Sequence, residues 1–139
     1  MSILVDMLKR HEGFRSKPYK DTVGKLTIGI GRNLDDVGIS EDEAMYMLSN
    51  DLAYLKGALR RAYPWFQNML YPRQDALTDL AYNIGMGSLA KFTHMLAALE
   101  KFDYDTAANE LMASQWAKQV GNERSHELFL ILKTGEYQQ

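Results

Sequence analysis

The 139 residues contain no cysteine. Disulfides are therefore excluded, and folding in a reducing cytosol is natural. Long apolar runs are also missing; none approaches the roughly 18 residues that would suggest a membrane-spanning helix. The N-terminal stretch carries Asp6, Lys9, Arg10 and Glu12 and has no long apolar core, so it predicts neither a signal peptide nor a membrane anchor. Histidine is scarce: His11, His94 and His126 are scattered and make no ligand set. Asp35-Asp36 and the Glu41–Glu43 run lack the alternating oxygen ligands of a calcium loop. No metal and no cofactor are expected. Repeats and low-complexity tracts are absent. A large excess of one charge is absent too, since 16 basic and 18 acidic residues leave a formal charge of −2. That balance argues against a dedicated nucleic-acid binder.

What is present suits a packed domain. Apolar residues make up 46%, which excludes disorder as the dominant state. The length fits one domain, or two lobes sharing a core. Charge is uneven along the chain. Residues 1–36 hold Lys9, Arg10, Arg15, Lys17, Lys20, Lys25 and Arg32 against five acids. A mildly basic N-terminal region suits an anionic polymer, and it equally suits an ordinary solvated surface. The eight methionines read most simply as core filler.

Ile3, Leu4, Met7, Leu8 and His11 recur at helical spacing, with Ser2 as N-cap and Gly13 as stop. Residues 17–34 alternate and are rich in glycine, which predicts a small antiparallel sheet. Asn33 to Gly38 is polar and loop-like. Ser40 and Glu43 form a capping-box pattern. Met45, Leu48, Leu52, Leu55 and Leu59 then trace one face of a long helix over 41–62. Beyond it everything reads as helical. A short helix is predicted at 64–69. Pro72 suits a first turn, and Ala76, Leu77, Leu80, Ala81 and Ile84 follow at core spacing until Gly85 and Gly87. Leu89, Phe92, Met95, Leu96 and Leu99 make another apolar face. Asp103 caps a helix with Ala107, Ala108, Leu111 and Met112 inward. Asn122 is expected to cap a last helix carrying Leu128, Ile131 and Leu132, closed at Gly135. The first helix is too short to stand alone, so it is expected to pack on the helical bundle.

The chemistry concentrates in His11 to Gly31. Glu12 closes the first helix. Asp21 ends one strand-like run (17–22), and Thr27 lies on the next (25–30), beyond a turn at Val23-Gly24. A hairpin folded back on the helix end brings two carboxylates and a hydroxyl to one cleft. Glycosidic hydrolysis needs such a set: one acid protonates the leaving oxygen, and one base activates water. By spacing alone, the same residues also read as a solvated glutamate and a turn aspartate.

This stretch resembles the catalytic signature of the phage-type lysozymes, the endolysin muramidases of glycoside hydrolase family 24. The matching residues are Glu12-Gly13, Tyr19-Lys20-Asp21-Thr22, Gly24 and Leu26-Thr27-Ile28-Gly29-Ile30-Gly31. Ile39 to Ala44, Ala81 to Gly85, Lys91-Phe92-Thr93, Ser114-Gln115-Trp116, Asn122 to Arg124 and Lys133-Thr134-Gly135 follow in family order, so the likeness covers nearly the whole chain. It implies an α+β, lysozyme-like fold: a small N-terminal lobe with a short antiparallel sheet, a long connecting helix and a mostly helical C-terminal lobe. The lobes are expected as 12–58 and as 1–11 with 59–139.

The resemblance implies Glu12 as general acid, Asp21 as general base and Thr27 as its helper. It also implies a supporting Arg124 paired with Glu12. Tyr82, Asn83, Gln115 and Tyr19 are expected at the sugar groove; Tyr19 reads equally well as packing. Gly24, Gly29 and Gly31 are expected to serve backbone shape. Two departures stand out. Arg32 follows Gly-Ile-Gly where some relatives have histidine, and the loop from Arg32 to Ser40 is short. The implied function is hydrolysis of the β-1,4 bond between N-acetylmuramic acid and N-acetylglucosamine in peptidoglycan, for phage-driven host lysis. The implied partner is the glycan strand, met by a monomer without nucleic acid or membrane insertion. Such a protein would be made in the host cytoplasm and released to the wall by a separate factor. Three rivals remain open: a lytic transglycosylase, a non-catalytic wall-binding module and a generic helical interaction domain.

Overall fold

The computed structural model describes residues 2–138. The described residues form three short strands at the N-terminal end and seven α-helices, the α+β class expected from the sequence. Contacts group the chain into two compact units, one ending at Leu48 and the other beginning at Ser49.

In the first unit, helix α1 spans Ile3–Glu12. Ser2 starts it, its hydroxyl accepting from the Val5 N–H at 3.3 Å. Gly13 ends it at φ 71°, its N–H reaching the Lys9 carbonyl at 2.9 Å. Lys9, Arg10 and His11 in the last turn suit the negative end of the helix dipole. None of the residues of α1 is buried. It groups with the first unit.

Strands β1 (Arg15–Lys20), β2 (Leu26–Gly29) and β3 (Arg32–Asn33) form one antiparallel sheet in that order. Tyr19 faces Thr27 across β1–β2, and Ile28 faces Arg32 across β2–β3. The β1–β2 register shifts between Arg15 and Tyr19. Pro18 lies in that interval; it lacks a ladder N–H and is tolerated because β1 is an edge. β1 begins and ends two residues before the predicted run, which leaves Asp21 in the turn. There its own carboxyl organises the backbone, as described below.

The polar loop after β3 is tied back to β2. Asp35 Oδ2 accepts from the Leu26 N–H at 2.7 Å, and Lys25 Nζ reaches Asp36 at 3.3 Å. Helix α2 spans Glu41–Ala62, as predicted. The capping box is formed: the Glu43 N–H donates to Ser40 Oγ at 3.1 Å, and Glu43 Oε1 accepts from the Ser40 N–H at 2.8 Å. The boundary between the two units falls inside this helix.

The second unit is helical. A 3-10 turn over Pro64–Asn68 precedes α3 (Tyr71–Leu89), α4 (Thr93–Glu100), α5 (Tyr104–Met112), α6 (Gln115–Val120) and α7 (Asn122–Thr134). The predicted core positions Leu59, Leu77, Leu80, Leu89, Met95, Leu99, Leu111 and Leu132 are fully buried, as is Phe66. Each such side chain contributes about 1.5–3 kcal/mol through burial, and the short helices α4–α7 depend on it. Helix α7 packs on α3, α5 and α6, and α5 packs on α4. Arg73 of α3 closes α7, its Nε and Nη2 donating to the Leu132 and Lys133 carbonyls at 2.7 and 3.1 Å.

One local expectation is met and one is corrected. Gly85 (φ 83°, ψ 159°) ends the first helical run of α3, and a second short run follows it to Leu89. The cap of α7 is Gly121 (φ 96°), and Asn122 is the first helical residue. Among the described residues, no helix is long and apolar enough to cross a membrane.

Candidate active site

Glu12 is the last residue of α1 and is exposed. Its carboxyl lies against Gly31, in the turn between β2 and β3. A Cβ built on Gly31 would fall 2.6 Å from Glu12 Oε2. Gly31 also has φ +71°, a conformation that costs a residue with a side chain. Backbone shape is what calls for glycine there; a side chain at 31 would also have to displace the flexible Glu12 carboxyl.

Asp21 and Thr27 are joined through Lys25. Asp21 Oδ1 accepts from the Lys25 N–H at 2.8 Å and from the Val23 N–H at 3.0 Å. The Lys25 carbonyl accepts from the Asp21 N–H at 2.9 Å and from Thr27 Oγ1 at 2.9 Å. One peptide segment thus fixes the aspartate, its turn and the hydroxyl. Among the described residues no hydrogen bond reaches Asp21 Oδ2, which leaves that oxygen open. Thr27 is 3% exposed. Its single O–H is committed to Lys25, so its oxygen is left as an acceptor.

The other expected residues are placed as follows. Tyr19 is half-buried on β1, with the Arg15 guanidinium 4.5 Å from its ring centre, so packing accounts for one of its faces. Tyr82, on α3, is exposed. Asn83 accepts at Oδ1 from the buried Trp116 Nε1 at 2.7 Å, which leaves its amide N–H groups for a ligand. Gln115, at the start of α6, lines a cavity of about 440 Å³ in the second unit, together with Ile84, Phe92, Glu110 and Trp116. Arg124 was expected beside Glu12. Its guanidinium is held by Asp79, with Nε 2.9 Å and Nη2 2.8 Å from Oδ1. Asp79 carried no signal in the sequence, because this partner comes from another helix of the bundle.

Sequence reasoning also missed what Arg32 does. Its fork grips Glu43, Nη1 to Oε1 at 2.9 Å and Nη2 to Oε2 at 2.6 Å, and Nη1 also donates to the Gly38 carbonyl at 3.0 Å. The guanidinium, followed by the Ser40 cap, holds the Glu43 carboxyl down at about 2. The same carboxylate raises the Arg32 pKa further. The capping-box pattern found Glu43, but only as a helix start.

The phage lysozyme family profile matches residues 9–129, a span that includes Glu12, Asp21 and Thr27. The chain belongs to the phage lysozyme family. It is a lysozyme, an enzyme that hydrolyses peptidoglycan. Three similar proteins illustrate the range of relatives. A pre-baseplate central spike protein of Enterobacteria phage T4 is 29% identical over 93% of this chain, which spans 27% of that protein. An endolysin of Acyrthosiphon pisum secondary endosymbiont phage 1 is 34% identical over 81% of this chain and 75% of its own length. A probable T4-type lysozyme of Dictyostelium discoideum is 27% identical over 97% of this chain and 96% of its own length.

Proposed function

We propose that this lysozyme cleaves the β-1,4 bond between N-acetylmuramic acid and N-acetylglucosamine with inversion, and that it serves phage-driven host lysis. The reading rests on the Asp21–Lys25–Thr27 arrangement, which leaves one open carboxylate oxygen and one hydroxyl oxygen able only to accept. A water between them donates one O–H to Asp21 Oδ2 and the other to Thr27 Oγ1. Its lone pair is then free to attack the sugar's anomeric carbon as Asp21 takes the proton. Glu12 gives its proton to the leaving glycosidic oxygen. Inversion requires the two carboxyl groups to stand roughly 6.5–9.5 Å apart, leaving room for that water; about 5 Å belongs to a retaining enzyme.

Tyr82, Asn83 and Gln115 suit the substrate as an aromatic face and two amides. Arg124 enters only as a supporting cation held by Asp79; an Arg124→Ala variant that clears walls normally would remove it from the mechanism. The endolysin relatives support a site of action at the cell wall, reached with the help of a separate factor. The partner is the glycan strand, engaged by a monomer.

Wall clearing by wild type, Glu12→Gln and Asp21→Asn tests the reading, with the product ends identified. Asparagine keeps the Oδ1 acceptor for the Val23 and Lys25 N–H groups, so the turn is retained while the base is lost. Both variants should fall by about 10²–10⁴-fold, and wild type should release reducing ends. Anhydro ends, with Asp21→Asn still active, would make the protein a transglycosylase. Wall binding without any cleavage would make it a binding module.

A further inference from the structure

We propose that Arg32 and Glu43 are positioning residues for the general acid: their ion pair holds the Gly29–Gly31 turn against the Glu12 carboxyl. The proposal rests on Glu12 being that acid. The turn needs an anchor. Gly29 and Gly31 both have φ +71°, and glycine is the residue least restricted by its own side chain. Ile30 between them is exposed and adds little to hold the segment. Yet Gly31 is the surface on which the Glu12 carboxyl rests, so any drift of the turn changes the space open to that group.

Arg32 is the next residue, and its side chain supplies the anchor. Two parallel N–H···O bonds to Glu43 and a third bond to the Gly38 carbonyl fix it in place. A planar fork meeting a carboxylate has a single preferred geometry, which a point charge does not impose. The receiving carboxylate is itself immobilised, because Glu43 Oε1 also accepts from the Ser40 N–H at 2.8 Å. The turn is thereby pinned to the first turn of the 22-residue helix α2. An exposed ion pair contributes little to stability. Its effect here is on position, and displacement of a reacting group by about 1 Å can cost on the order of 100-fold in rate.

The test measures kcat and KM on soluble glycan fragments for Arg32→Met, Glu43→Gln, their double variant and Arg32→Lys, each at a temperature where circular dichroism shows it folded. Each of the first two should lower kcat by about 10- to 100-fold with KM little changed, because binding of the rest of the glycan is untouched. The double variant should be no slower than the slower single variant, since the two side chains act as one unit. Arg32→Lys should recover part of the rate. Glu43→Gln keeps an acceptor for Ser40 and carries the test if Arg32→Met does not fold. A lowered Tm with unchanged kcat would overturn the proposal and leave a purely structural bridge. Glu12→Gln is run alongside. If it is inactive while Arg32→Met is fully active, only the positioning role fails. If it retains full activity, the acid assignment fails first.

Discussion

The Glu12 carboxyl occupies the volume that a side chain on Gly31 would need, with Oε2 2.6 Å from where that Cβ would sit. The obstructing atoms are the far end of a flexible side chain, so a methyl group at 31 displaces the carboxyl more readily than the backbone. Gly31→Ala should therefore lower activity more than it lowers stability. Its positive φ should cost about 1–2 kcal/mol, while kcat should fall by about 10- to 100-fold. Thermal melts beside wall-clearing rates check this; a variant that is unstable yet fully active per folded molecule would contradict it.

Thr27→Val removes a hydroxyl with little change of shape. The Lys25 carbonyl keeps the Asp21 N–H as a partner, so the loss in stability should stay near 1 kcal/mol. If Thr27 accepts a hydrogen bond from the attacking water, kcat should drop by about tenfold or more, and Thr27→Ser should restore most of it. Steady-state kinetics of the three proteins decides the point.

Glu43 titrates at about 2 in the fold against an ordinary value of 4.5, chiefly through its hydrogen bonds with Arg32. The folded value is the lower one. The charged carboxylate therefore adds its full stabilisation above the ordinary value and loses it as pH falls toward 2. The Tm difference between wild type and Glu43→Gln should be constant above about pH 5 and shrink below it. A difference that persisted unchanged at pH 2 would show that the charge is not its source.

Asn83 serves the core as well as any ligand. In Asn83→Leu the indole N–H of Trp116, a residue 8% exposed, would lose its partner at 2.7 Å. Leaving a buried donor unsatisfied costs about 1–3 kcal/mol, which a chemical denaturation curve would register. An unchanged midpoint would mean that water replaces the amide.

Much of this protein was written in short-range chemistry. Ser2, the Ser40–Glu43 box, Asp103 and Gly135 start or stop helices through bonds spanning three or four residues, and sequence reasoning found all four. The apolar spacing located the core of the helical unit for the same reason, since periodicity is a local property. Asp21 and Thr27 were also legible, because a turn and two neighbouring strands bring them together. The pairings Arg32–Glu43, Trp116–Asn83 and Arg124–Asp79 join residues 11, 33 and 45 positions apart. No local pattern specifies such partners. Each exists only once the sheet, turn and helices have been packed, because a hydrogen bond at 3 Å depends on where whole elements come to rest. The amino-acid order thus determined which residues are proposed to carry the chemistry; the packed chain decided what holds them, down to the empty side-chain position at Gly31 that the Glu12 carboxyl fills.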